Sequence, residues 1–582
     1  MQSAKAFALA GVATAALLYG DPAVAALPET APATAPATAA VERPGPSAPL
    51  QLRAPAGARQ VGAVRLAAAD DAAIRSSDLP QALSDPAVAD DRVAAIVAQL
   101  RNRAFDKALL MAQALEEERP GSALPLHLQA LALWAKDRRA AAIERLESAH
   151  LIAPGDTGVA YDLARFYRAA DRPEAALKLI QKVRAADPHA PRAKFEAALI
   201  HGSLGDNQTM ARLLGEAVDA DPEFASARLY LARLQMLQGA PDQALATVQA
   251  APPAQSAQPE MLEALGQAQL RLNRPADAAA TFDRLIAVAP EEPGAYLSAG
   301  QARLATGEAE RAAALLSRAR TLAPQSKAIA INLAEAQIRA GQGFQAGTTL
   351  ADLQAAYPDD AEVVALSGRY AFAVDGDPAA AERAYQRALD LQPTEQLAVT
   401  LARIQLQDGR VAAAIRTLQD WVAQHPESRQ ARQAAGEIQL SHGDYAGAAR
   451  TYGELVRLAP ANAGYLNNHA WSLAATGALE EALITAEKAM AAAPDQPAIL
   501  DTLGSVLLKL DRPAEAVTAL RKAVALAPTR GDIRLTYAEA LAAAGQSAAA
   551  RDELRRIGAN GLPQAMEQRR LSLADRLSMA RP

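Results

Sequence analysis

Proline recurs at a fixed interval over most of this 582-residue chain. Pro120, Pro154, Pro188, Pro222, Pro290, Pro324, Pro358, Pro393, Pro426, Pro460, Pro494 and Pro528 stand 34 residues apart, with a one-residue slip at Pro393 and one absent member. Ser256 takes the absent position, inside the proline-rich stretch 251–259, so the phase is kept. Proline has no amide hydrogen and its ring collides with the preceding helical turn, so each marks a recurrent helix end. Between prolines the apolar residues step by three and four, as one helical face requires, and no stretch alternates with the period of a half-buried strand. A turn signal lies near the middle of most intervals, as in Gly205-Asp206, Asp408-Gly409-Arg410, His442-Gly443-Asp444, Thr476-Gly477-Ala478 and Leu510-Asp511-Arg512-Pro513. Each interval therefore reads as helix, tight turn, helix, loop, and the fold class as all-α.

With the proline at position 32 of a 34-residue repeat, Gly436, Ala448 and Tyr452 fall at positions 8, 20 and 24. The following repeats supply Ala470, Ala482 and Ala489, then Gly504, Ala516 and Ala523. This pattern resembles the tetratricopeptide repeat (TPR), in which small residues at 8, 20 and 27 let two helices approach and larger apolar residues fill the gaps. The resemblance spans residues 89–560, about fourteen repeats. It implies a right-handed superhelical solenoid of stacked helix pairs, since one pair cannot bury its apolar face alone. Two departures predict local distortion: Met210 stands where a small residue belongs, and an extra residue near Arg369 shifts the ninth repeat. Residues 561–582, with Arg569, Arg570, Asp575 and Arg576 among Leu571, Leu573 and Leu577, read as a solvating cap helix.

Alanine-rich helices with few aromatic residues, 4% of the chain, suit close helix packing. A formal charge of −6 with no basic block argues against a nucleic-acid partner. Residues 1–26 carry Lys5, an apolar run from Ala6 to Tyr19 and then Ala23-Val24-Ala25-Ala26, which reads as a secretory signal too short for a membrane span. Residues 27–88, rich in alanine and proline, read as a flexible tether. The absence of cysteine removes disulfides, thiol catalysis and thiolate metal sites. The expected location is periplasmic, with no transmembrane span in the mature chain; the alternative is a membrane-associated chain held by an uncleaved, weakly anchored start.

Little in the sequence suggests bond-making chemistry. The seven histidines, His127, His150, His189, His201, His425, His442 and His469, include no pair at metal-ligand spacing, and no cofactor or metal is implied. Gly341-Gln342-Gly343 lacks the strand and spacing of a phosphate-binding loop and falls at a mid-repeat turn. The chain is read as non-enzymatic.

In the family it resembles, positions 2, 5, 9, 12 and 13 of each first helix face the concave groove. Carried onto this sequence, they give a first patch of His127, Trp134, Tyr161, Arg165 and Arg168. The second patch comprises Gln433, Glu437, Asn467, Trp471, Asp501, Ser505 and Lys509. Aromatic rings with cations suit a carbohydrate, an acidic polymer or a peptide with carboxylates; amides, carboxylates and a Trp suit extended peptide. Trp421 is placed in the core. The repeat variety that clamps a peptide's terminal carboxylate uses a set of Lys, Asn and Arg of which only Asn468 has a match, so that mode is not expected. Asn467-Asn468-His469-Ala470-Trp471 with Leu500-Asp501-Thr502-Leu503-Gly504 resembles bacterial envelope repeat proteins linked to exopolysaccharide export and exosortase-type systems. That likeness implies an exported adaptor holding protein partners, in or near polysaccharide export machinery, with direct carbohydrate or acidic-polymer binding by the groove as the alternative.

Overall fold

The computed structural model describes residues 91–557, Leu562 and 564–579. The expected signal and tether lie outside these residues, as do residues 561, 563 and 580–582 of the expected cap. Every regular element among the described residues is helical. They divide between Pro324 and Gln325 into two compact bodies. The N-terminal body holds seven helix pairs, from Asp91–Arg101 with Phe105–Glu118 to Pro293–Ala305 with Ala309–Leu322. The C-terminal body holds seven more, from Lys327–Arg339 with Gly343–Ala356 to Gly531–Ala543 with Ser547–Arg555, and then the closing helix Gln564–Met579.

The helix breaks obey the proline spacing. Ala493 and Ala527, which precede Pro494 and Pro528, leave the helix with φ of −147° and −134° and ψ of 79° and 67°, outside the helical region that a following proline disfavours. The mid-repeat turn is equally regular: each of the fourteen pairs reverses through one residue of positive φ. Glycine fills nine of these turns, and Arg103, Asp137, Asp171, Asn273 and Asp511 fill the rest. A left-handed conformation costs glycine nothing and is tolerated best, among other residues, by Asn and Asp.

Close approach of the paired helices explains the small residue at position 8. A Cβ added to Gly266 would lie 2.5 Å from the ring of Phe282, and one added to Gly300 would lie 2.6 Å from Leu316. Phe282 and Leu316 are fully buried. Met210 does not distort its repeat as expected: it is fully buried, and Gly202 opposite leaves the room, since a Cβ there would meet the Met210 sulfur at 2.6 Å. The pairs also carry a polar tie that the apolar pattern conceals. In five repeats a Thr hydroxyl on the second helix donates to a Gln side chain twelve residues earlier: Thr247 to Gln235, Thr281 to Gln269, Thr417 to Gln405 and Thr451 to Gln439 at 2.8 Å, and Thr349 to Gln337 at 2.9 Å.

The extra residue of the ninth repeat is absorbed in one place. The first helix Ala361–Tyr370 runs into a π-helical turn, Ala371–Asp375, which ends on Gly376 at φ 66°. A single wide turn takes up one residue without breaking the ladder. Arg369, just before it, pairs with Glu335 of the preceding repeat, which also accepts from Arg339 at 2.7 Å. Burial pushes the Glu335 carboxyl up, but Arg369 and Arg339 together hold it below its ordinary range. In the closing helix Leu573 and Leu577 are buried while Leu571 faces solvent. Arg551 anchors the helix by donating to the Leu577 carbonyl at 2.8 Å. Trp421, expected in the core, is only half-buried and stacks on His425 with ring centroids 3.8 Å apart.

Candidate functional site

Within each body a first helix touches its own second helix and, in several repeats, the first helix of the next repeat, as Ala463–Thr476, Pro497–Lys509 and Gly531–Ala543 do in succession. Where they touch, the first helices make a wall within each body, along which positions 5 and 9 are read. The residues expected to line a groove fall on this wall in two groups, one in each body.

The N-terminal group is self-paired. His127 is buried, and its Nε2 lies 2.7 Å from Asp162 Oδ2. The other Asp162 oxygen lies 3.0 Å from the Arg165 guanidinium. Burial pushes the Asp162 carboxyl up, but Arg165 and the His127 hydrogen bond outweigh it and hold it below its ordinary value. Trp134 lies flat on Phe166, centroids 3.9 Å apart at 13°, so one face of the indole is covered. The guanidinium of Arg192 sits 5.8 Å from the Tyr161 ring and donates to Glu196 at 2.8 Å. Arg168 is buried. Of the expected arginines Arg165 is matched by Asp162, while Glu196 matches Arg192, which was not among the expected residues; both carboxylates stand one position beyond those used to read the groove.

The C-terminal group is different. Gln433 donates to Glu437 at 2.8 Å and accepts from the Tyr465 hydroxyl at 3.1 Å, while burial pushes the Glu437 carboxyl up. Asn467 is fully buried; its amide donates to Asn468 Oδ1 at 3.3 Å, and its own Oδ1 has no partner. The indole N–H of Trp471 is likewise buried without an acceptor. Lys509 donates to the Ala474 carbonyl at 2.9 Å, with its ammonium 5.9 Å from the Trp471 ring, and burial pushes its pKa down. Asp501 is 8% exposed and its Oδ1 is unpartnered. Burial drives its carboxyl up to about 7 and Asp532 adds to the shift, against the opposing Thr536 hydrogen bond and the charges of Arg530 and Arg569. Ser505 is half-buried one turn along the same helix. Each unmatched buried polar atom costs about 1–3 kcal/mol, so such atoms in a folded protein ask for a physical reason.

Asp532, Thr536, Glu539 and Arg569 extend this wall and were not among the expected site residues. The first three occupy positions 2, 6 and 9 of the last repeat, so extending the positional reading there would have found Asp532 and Glu539. Arg569 could not be found that way, because only docking of the closing helix brings it to Glu539, 2.7 Å away. Among the described residues no three His, Asp or Glu side chains gather as a metal site requires, and no helix is long and apolar enough to cross a membrane.

Tetratricopeptide-repeat family models match residues 133–199, 204–268, 303–370, 375–438 and 507–565 in one version, and 263–327 and 434–497 in another, together more than half of the chain. No curated protein matches the sequence. Solved structures similar to the chain include the APC/C hetero-tetramer Cut9-Hcn1, at 12% identity and TM-score 0.39, covering 85% of this chain and 97% of that one. A tetratricopeptide repeat protein from Parabacteroides merdae follows at 16% identity and TM-score 0.38, covering 43% of this chain and 98% of that one. Yeast Tom70 is similar at 16% identity and TM-score 0.33, covering 77% of this chain and 99% of that one. Likeness at this level carries no functional argument.

Proposed function

Because the chain belongs to the tetratricopeptide-repeat family, a helical scaffold suited to protein–protein interaction, we propose that it is a non-catalytic adaptor that docks protein segments along its first-helix wall in the bacterial cell envelope. The observation that carries the docking role is the set of buried polar atoms left without partners on the C-terminal wall, at Asn467, Trp471 and Asp501. The envelope location is supported by the signal-like residues 1–26, and a place beside exopolysaccharide assembly or export by the Asn467 to Trp471 signature. Binding works by area: each repeat contributes a modest contact, and stability likewise sums over repeats and their interfaces.

The experiment is site-specific photo-crosslinking in the native host, with the crosslinker at Ser505 on the wall and, as control, at Lys522 on a second helix. A single dominant protein adduct from position 505 and none from position 522 is expected. Equal labelling from both, or none from either, overturns the docking role. Fractionation of the same cells tests the location, and recovery of the chain in the cytoplasm with residues 1–26 intact would refute export. Carbohydrate or acidic-polymer binding by the N-terminal wall is the second reading, and the pairing of Arg165 with Asp162 and of Arg192 with Glu196 weakens it. Retention of polysaccharide by the full chain that is lost on Trp134→Ala with Tyr161→Ala would restore it.

A further inference from the structure

The buried acceptors of the two walls differ in a way that points to a ligand. On the N-terminal wall the buried His127, Asp162 and Glu196 all have partners. On the C-terminal wall two adjacent helices, Ala463–Thr476 and Pro497–Lys509, hold two buried acceptors and one buried donor with none: Asn467 Oδ1, Asp501 Oδ1 and Trp471 Nε1. A main chain in extended form offers one donor and one acceptor per residue, the chemistry these atoms lack.

Charge narrows the ligand further. Arg530, in the loop before the last repeat, is committed to Asp532. Arg569 of the closing helix gives two N–H bonds to Glu539, and Lys509 on Asp501's own helix donates to a carbonyl. From the preceding first helix come only the neutral Asn467 and Trp471; from the following one come Thr536, Asp532 and Glu539. Three carboxylates therefore face two committed arginines, and Asp501 is the one without a cation of its own.

We propose that the C-terminal wall recognises an extended polypeptide segment bearing a lysine or arginine, whose cation takes the open oxygen of Asp501 while its main chain pairs with Asn467 and Trp471. This rests on the adaptor reading above and adds to it the chemistry of the partner. Asp501 as a whole keeps 8% of its surface, but its open oxygen is closed to solvent in the free chain, so the side chain must turn to meet the cation. It binds the carboxylate only, so a proton competes with it. With the carboxyl near 7 in the free chain, binding weakens on acidification, by about thirtyfold between pH 8 and pH 5.5.

The test is selection of a displayed library of random twelve-residue peptides on the full chain at pH 8. Enriched peptides are expected to share a basic residue at one place. A synthetic copy should bind about thirtyfold weaker at pH 5.5, and replacement of its basic residue by norleucine should cost at least about tenfold. Asp501→Asn, provided its thermal melt is not lowered, should abolish both effects; if that variant melts early, the norleucine peptide makes the same comparison on the intact protein. Enriched peptides with no basic residue in common, or affinity indifferent to pH and to norleucine, overturn the inference and leave the adaptor role standing. Peptides that bind Trp471→Ala and Asn467→Ala as well as the unaltered chain, or no enrichment at all, overturn the docking role of this wall as well.

Discussion

Leu520 and Gly504 offer the sharpest check on how the helix pairs are built. Leu520 is fully buried on the second helix Pro513–Leu526, and its branched end lies against the bare Cα of Gly504 on the first helix Pro497–Lys509. Leu520→Ala removes three carbons, worth about 0.8 kcal/mol each, or roughly 2.4 kcal/mol in transfer alone. Gly504 has no side chain to fall into the space, so the cavity raises the loss to about 3–4 kcal/mol. Gly504→Ala alone gains about 1 kcal/mol of helix propensity. Its Cβ would meet the Leu520 carbons well inside van der Waals contact, so the net effect is a loss of about 1–2 kcal/mol. In the double variant the new methyl enters the hole, and the two losses should fall short of their sum by at least about 1.5 kcal/mol. A repeat array need not unfold in one step, so the assay is native-state hydrogen exchange resolved by peptide. Lost protection should centre on residues 463–555 and leave 91–322 unchanged. Additivity within about 0.5 kcal/mol would refute the packing argument, and equal loss of protection in both bodies would refute nearest-neighbour stability.

Asp501 ties stability to pH. Its carboxyl rises from 3.8 to about 7 on folding, so the folded chain holds the proton more tightly, a benefit complete below about pH 4 and lost as pH climbs through 7. Asp501→Asn should therefore stabilise the last repeats at pH 8 by up to about 4 kcal/mol and much less at pH 4; equal effects at both would contradict the assignment. Gly443 turns at φ 76°, so Gly443→Val should cost about 1–2 kcal/mol and Gly443→Asn clearly less, as protection of Tyr445–Leu458 amides would report. His127→Ala strips Asp162 of one of its partners and should cost about 1–3 kcal/mol in the helices Ala123–Ala135 and Thr157–Ala169. No change in exchange there would mean that the buried bond contributes nothing net.

The helix pairs were legible because their signals are local and repeated. A proline that cannot continue a helix, a left-handed turn that glycine fills, and a small residue where two helices touch each act within a few residues, and each recurs at one phase from Pro120 to Pro528. The site was legible only as positions. The expectation that His127 and Asn467 face a groove gave no sign that both are buried, and their partners were not readable either, since Asp162 is 35 residues from His127 and acts on it only once neighbouring repeats stack. The fate of Met210 was misread for a similar reason: the glycine that admits it lies across the pair.

Fold class, repeat length and number of helix pairs were thus determined by the linear sequence, because short-range sterics set φ and ψ and periodicity sets which face is apolar. Charge matching was decided only by tertiary structure. A guanidinium or carboxylate reaches across one repeat to the next, and whether a partner waits there depends on how the helices stack. That is why Asp162 and Glu196 on the N-terminal wall meet cations, while Asp501 on the C-terminal wall keeps an oxygen without a hydrogen-bond partner, beside Asn467 and Trp471.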